Sequence, residues 1–327
     1  MTHKRFEKFA WGFLLYLVAV ILFGAWVRIS HSGAGCGSHW PTCNGEIVPV
    51  APNVNTIIEF SHRLTSGLCG IFGIGMVVWA WRREGTGAMF RASLATLFFI
   101  VVEGAIGAGL VLRELVADDD SVARAIVVAL HLSNTLLLTA SAALAAWLAG
   151  GKTAPLLTGI RARFALALVL LIATSMSGAV TALGDTLFPI EPTLGPGLVD
   201  KVSGDLAAAN HFLVRLRVVH PAVAIFAGFY VCWLLLPLVR EGSGPVKTWA
   251  SMGLYLALAE MLLGALNVAL AAPGWLQITH LLMAHSLWIA LLLATIESMS
   301  ATKEPAIVDR AGSSGSPLSA TNGRVIS

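Results

Sequence analysis

The sequence predicts an all-α integral membrane protein, with eight spanning helices arranged as two tandem, pseudo-symmetric four-helix bundles. Three observations carry this prediction. Of the 327 residues, 57% are hydrophobic and only 12% are charged, whereas a soluble domain carries about 25% charge. Eight apolar runs each reach the roughly 20 residues needed to cross a bilayer. A set of short motifs also recurs in the same order at a nearly constant offset, which divides the chain in two. The net charge of +3 is small and scattered and points to no nucleic acid. Four cysteines in a chain this size do not make a disulfide scaffold.

The first apolar run covers residues 9–27, behind Lys4, Arg5 and Lys8. A signal peptide is the competing reading. The run exceeds the roughly 7–15 apolar residues of such a peptide, and no small-residue cleavage site follows cleanly, so it is read as the first span. Further spans are predicted near residues 56–81, 92–112, 122–149, 163–183, 212–239, 248–271 and 276–298. Basic residues orient them. With eight spans both termini share one side, which takes Lys4, Arg5, Lys8, Arg82, Arg83, Arg91, Lys152, Arg161, Arg163, Arg240, Lys247, Lys303, Arg310 and Arg324, 14 of the 21 Lys and Arg. The other side takes Arg28, Arg63, Arg113, Arg124, Lys201, Arg215 and Arg217, with the acidic run Asp118-Asp119-Asp120. The first side is predicted to be cytoplasmic, with the protein in the cell membrane among its lipids. Residues 1–150 form the first half and residues 151–300 the second. Residues 301–327, rich in Ser, Gly and Ala without apolar periodicity, are expected to form a disordered cytoplasmic tail.

The loop between the first two spans reads His31-Ser-Gly-Ala-Gly-Cys36-Gly-Ser-His-Trp40-Pro41-Thr-Cys43-Asn-Gly45. Cys36 and Cys43 fall on the predicted extracytoplasmic side, where disulfides persist. A disulfide or a thiol–disulfide switch is the favoured reading, and two free thiols the plainer one. A metal site using these cysteines with His31 or His39 ranks below both, because the spacing matches no common zinc pattern. Cys69 and Cys232 lie inside spans and read as packing residues. At the mouth of the second span stands Glu59-Phe60-Ser61-His62-Arg63. Ionisable side chains at a membrane boundary are costly and mark function, and helical spacing puts Glu59 and His62 on one face.

The repeat is built from four matches. Gly24-Ala and Gly178-Ala are offset by 154, and His62 and His220 by 158. Glu103-Gly-Ala-Ile-Gly107 and Glu260-Met-Leu-Leu-Gly264 are offset by 157, and His131-Leu and His280-Leu by 149. Tandem structural repeats are a recurrent membrane-protein device. This one puts His62, His131, His220 and His280 on the even-numbered spans, each in the outer half of the membrane. Imidazoles paired across a four-helix bundle suit a bound haem. Alone, each histidine reads as a hydrogen-bonded packing residue; four in repeat-related places read as ligands. His211 and His285 break the pattern, and His285 is expected to point away from the His280 face. Arg63, Arg215 and Arg217 lie near the outer ends of the even spans. Pairing with haem propionates and snorkelling to lipid headgroups stand level for them. Glu103 and Glu260, deep in the third and seventh spans, fit either helix–helix contacts or a proton route.

The halves differ where chemistry depends on it. At an offset of 158, Glu59 corresponds to Arg217 and Arg63 to Pro221, so only the first half has a carboxylate beside its histidine. Only the first half has the cysteine loop. The reaction is therefore assigned to the first half, and an electron-carrying or structural cofactor to the second. Pro221 is expected to kink its span by withholding a hydrogen bond from the carbonyl of Arg217.

Gly24-Ala-Trp-Val-Arg28, Gly33-Ala-Gly-Cys36, Trp40-Pro-Thr-Cys43-Asn-Gly45, Glu59-Phe-Ser-His62-Arg63 and the His-Leu contexts of His131 and His280 together resemble the haem A synthase family, across residues 10–298. The resemblance implies an eight-helix oxidoreductase that converts a methyl group of haem O to the formyl group of haem A, through two hydroxylations and loss of water, for cytochrome oxidase assembly. It implies substrate haem O between His62 and His131, haem b between His220 and His280, a catalytic role for Glu59, and a redox-sensitive Cys36–Cys43 pair. Haem O synthase is then a natural partner; the electron acceptor and any homo-oligomer are left open. Two departures stand out: the second cysteine pair of many relatives and an Arg after the third histidine are both missing. Two other classes use the same four histidines. A di-haem electron-transfer subunit needs neither Glu59 nor the cysteine loop, and a haem transporter or chaperone leaves the porphyrin unchanged.

Overall fold

A computed structural model describes residues 2–153, 161–189 and 198–301. Ten helices follow in order: α1 Thr2–Ile29, α2 Val54–Glu84, α3 Ala88–Leu112, α4 Val122–Ala149, α5 Ala162–Leu187, α6 Leu198–Asp205, α7 Phe212–Leu216, α8 Val219–Glu241, α9 Gly244–Ala269 and α10 Gly274–Ala301. There is no strand among the described residues. Among the described residues, eight segments are long and apolar enough to cross a membrane, with α7 and α8 together making one of them. The chain is a multi-pass membrane protein. Helices are forced on it because lipid offers no hydrogen bonds to a bare backbone. Of the tail assigned to disorder, Ala301 ends α10 instead, and residues 302–327 lie outside the described residues.

Local chemistry sets the ends. Asn53 caps α2 by accepting from Thr56 N–H, and Ser121 caps α4 by accepting from Arg124 N–H, each satisfying an orphan donor of a first turn. Arg82 and Arg83 close α2, where cations suit the helix dipole. The sixth predicted span is interrupted: α7 ends at Leu216 and α8 begins at Val219. The expected kink is a break at this place, because Pro221 has no N–H for the Arg217 carbonyl. The short α6, before that span, had no signal in the sequence.

In the first half α1 packs on α2, α2 on α3, α3 on α4 and α4 back on α1. In the second, α5, α8, α9 and α10 close a ring in the same order. The rings meet where α4 touches α5 and α10, and where α1 touches α10. Ala142, Ala143, Ala145, Ala146 and Ala149 are buried along α4, and such small side chains let helices approach closely in lipid. Phe6, Phe13, Met76, Trp147 and Leu293 fill the core around them. Polar ties cross between the halves: Trp288 Nε1 donates to Leu136 O at 2.9 Å and Trp147 Nε1 to Glu297 Oε1 at 2.8 Å, while Arg28 donates to Gln277 Oε1 at 2.9 Å, to Ala182 O at 2.6 Å and to Thr186 Oγ1.

Candidate functional site

The first-half site is built where the cysteine loop lies over the start of α2. Cys36 and Cys43 form a disulfide, so neither is a thiolate for a metal. Thr56 Oγ1 donates to Gly35 O at 2.8 Å and fastens the loop to the first turn of α2. Glu59, one turn on, is 4% exposed. Its Oε2 accepts the Cys36 N–H at 2.8 Å, and its Oε1 accepts Arg63 Nε at 3.0 Å and Arg63 Nη2. Arg63 Nη1 reaches the loop carbonyls of His39 at 2.7 Å and Thr42 at 2.8 Å. The carboxylate is thus clamped between a backbone amide and a guanidinium that itself grips the loop. The helical face shared by Glu59 and His62 was legible in the sequence. The connection from Arg63 across the loop to Glu59 was not.

His62 on α2 packs edge-on against Phe23 of α1, with ring centroids 5.4 Å apart. A Cβ on Gly24 would lie 3.2 Å from the His62 ring, and one on Gly178 2.9 Å from the His220 ring. Each glycine of this repeated pair therefore lets an imidazole lie directly on the preceding span, His62 on α1 and His220 on α5. Glu103 Oε1 lies 3.4 Å from His131 Nδ1, and Glu260 Oε1 3.1 Å from His280 Nδ1. These are close contacts that fall short of aligned hydrogen bonds. The motifs that reveal the repeat are thus the residues that surround the four imidazoles. Glu103 and Glu260 each reach a neighbouring span, where a histidine lies beside them.

In the second half, His220 Nδ1 sits 3.1 Å from both Thr174 O and Ser177 Oγ. A carbonyl can only accept, so this contact favours the tautomer with its proton on Nδ1 and its Nε2 lone pair free. The rings of His220 and His280 stand 6.3 Å apart, centroid to centroid, at an interplanar angle of 78°. Metal–imidazole bonds of about 2 Å on opposite sides of one ion place two ring centres about 6 Å apart. The two imidazoles would be near enough to hold one iron between them. His62 Nδ1 on α2 and His131 Nδ1 on α4 are both buried without a hydrogen-bond partner among the described residues. The donor sets therefore fit a haem in each half.

The remaining site residues have other tasks. Arg217 is 8% exposed. Its Nε pairs with Asp185 Oδ1 at 2.8 Å, and its Nη2 donates to Gly184 O at 2.9 Å and to Phe188 O. This guanidinium seals the end of α5 onto the α7–α8 break. Arg215 is exposed. His211 caps α7, its Nδ1 accepting from Leu213 N–H at 3.4 Å, and stacks on Phe188. His285 is buried with Nδ1 3.0 Å from Leu281 O. Cys69 is buried and Cys232 half-buried, both as free thiols.

Fold and site together define a class: multi-pass membrane bundles in which neighbouring even-numbered spans present paired imidazoles. A family model described as cytochrome oxidase assembly protein matches residues 7–292. A Thermus thermophilus protein named protoheme IX farnesyltransferase is 47% identical over 292 residues, 88% of this chain and 47% of that protein. Heme A synthase of Halalkalibacterium halodurans is 41% identical over 111 residues, 33% of this chain and 37% of that one. Heme A synthase of Symbiobacterium thermophilum is 40% identical over 98 residues, 30% of this chain and 32% of that one. The chain spans about half the length of the Thermus relative. It belongs to the haem A synthase family of cytochrome oxidase assembly proteins.

Proposed function

We propose that this chain is a haem A synthase, an oxidoreductase that converts a ring methyl of haem O to the formyl group of haem A for cytochrome oxidase. One observation carries the reading: of the two imidazole pairs, the first alone among the described residues lies under a disulfide loop tied to a carboxylate, Glu59, one turn before its histidine on the same helix. In this reading His62 and His131 hold the substrate haem O, and His220 and His280 hold haem b. A bound iron porphyrin supplies the electron-transfer chemistry that no side chain here offers. Glu59 already accepts N–H groups on both oxygens, so it acts as a fixed negative charge that stabilises positive charge developing at the reacting carbon. Arg63 serves by holding Glu59 to the loop, and Arg217 by anchoring the α7–α8 break. The electrons pass to an acceptor outside this chain.

The setting follows from the same reading. The protein lies in the cytoplasmic membrane with both termini in the cytoplasm and the cysteine loop outside. Haem O synthase is the partner that delivers substrate. The similarity to a Thermus protein named for farnesyl transfer to protohaem, which is about twice as long as the match, supports this pairing.

The test is pigment extraction from cells that make haem O, with and without this chain, followed by chromatographic separation. Hydroxylated or formyl haem is expected. Unchanged haem O beside a haem-loaded protein would leave an electron-transfer subunit or a haem carrier instead. Glu59→Gln is expected to keep both haems and lose conversion.

A further inference from the structure

We propose that Glu103 and Glu260 are positioning residues that turn His131 and His280 so that each presents Nε2 to iron, and that they set the electron-donating strength of these ligands. The inference rests on the haem-binding reading above. Both carboxylates face Nδ1 of a histidine on the next span, α3 to α4 at 3.4 Å and α9 to α10 at 3.1 Å. An acceptor beside Nδ1 favours the tautomer with its hydrogen there, which leaves the Nε2 lone pair for a metal. Metal-bound histidines are generally oriented in this way by a carboxylate or carbonyl. The second half is consistent throughout: Thr174 O does for His220 what Glu260 does for His280.

The two carboxylates are not equivalent. Glu103 accepts from Asn134 Nδ2 on Oε2 and from Thr135 Oγ1 at 2.6 Å on Oε1. At the repeat offset of 149, Asn134 and Thr135 become Met283 and Ala284. Glu260 accordingly has no donor on Oε2 among the described residues. Donors on a carboxylate draw its negative charge away from other partners, so Glu103 pulls on the His131 N–H less than Glu260 pulls on that of His280. The second-half histidine is the richer electron donor of the two.

The purified holoprotein tests this through redox titration of its visible bands and low-temperature EPR of its low-spin signals. Glu260→Gln keeps the side-chain volume and an acceptor but loses the charge. It is expected to raise the midpoint potential of one haem only and to change that haem's g-values. Glu103→Gln is expected to move the other haem, and by less. Glu→Ala at either position also loses the acceptor, and haem retention at that site is expected to weaken about 10- to 100-fold. Residues that only pack helices together would leave potentials and g-values at the parental values in the Gln variants. That result with a haem-loaded protein overturns this inference and spares the functional reading. A parental protein that takes up no haem overturns both.

Discussion

Replacing Gly178 with Ala tests the seat of His220 directly. The new Cβ would lie 2.9 Å from His220 Cε1 and 3.3 Å from Nδ1, whereas carbon atoms pack at about 3.5–4.0 Å. The ring must retreat by about 0.6 Å or more. It is held by Thr174 O, 3.1 Å from Nδ1, and a retreat of that size takes the contact beyond hydrogen-bonding range. Overpacking costs about 1–3 kcal/mol. At about 1.4 kcal/mol per tenfold, this is a loss of about 5- to 150-fold in haem retention at the second site. The assay is haem per polypeptide, measured on monodisperse detergent-purified protein. Gly24→Ala is expected to do less, because its Cβ would stand 3.2 Å from the His62 ring and His62 Nδ1 has no hydrogen bond to lose. Gly12→Ala and Gly70→Ala, with nothing within 4 Å of the added carbon, are the controls. A Gly178→Ala protein that keeps its full haem and the parental spectrum would show that His220 does not bind in the position seen on α5.

Three further outcomes are expected. Arg63→Leu leaves the buried Glu59 without its cation, at a cost of about 3–5 kcal/mol; the loop should become open to protease, while Arg63→Lys should restore part of the protection. Cys36→Ser opens a closure of sequence separation 7 and loosens the loop by about 2–3 kcal/mol; conversion should fall while the spectrum of the second-half haem stays parental. Trp147→Phe removes the hydrogen bond to Glu297 that ties α4 to α10. Losing a bond to a charged group costs about 1.5–3 kcal/mol, which denaturation in detergent should register as a lower midpoint without loss of haem.

Read alone, the sequence determined the eight spans and singled out the repeat and the four histidines. Hydrophobic runs report lipid contact, and a fixed spacing reports which residues share one helical face. It placed Glu59 beside His62 for the same reason, since residues three apart on a helix meet whatever surrounds them. What surrounds them was settled by the tertiary structure. Glu103 and His131 are 28 positions apart, and Glu260 and His280 are 20 apart; only the packing of α3 on α4 and of α9 on α10 brings each carboxylate to its imidazole. Arg217 was equally suited in the sequence to a propionate or to headgroups, yet the α7–α8 break turns it onto Asp185 and the carbonyls ending α5. Arg63 likewise reaches the carbonyls of His39 and Thr42 because the disulfide folds the loop back over α2. Periodicity fixes the direction of a side chain about its own helix axis. The rotation and depth of the neighbouring helix, which decide what that side chain meets, are set by packing summed over many residues of both halves, and no single motif encodes it.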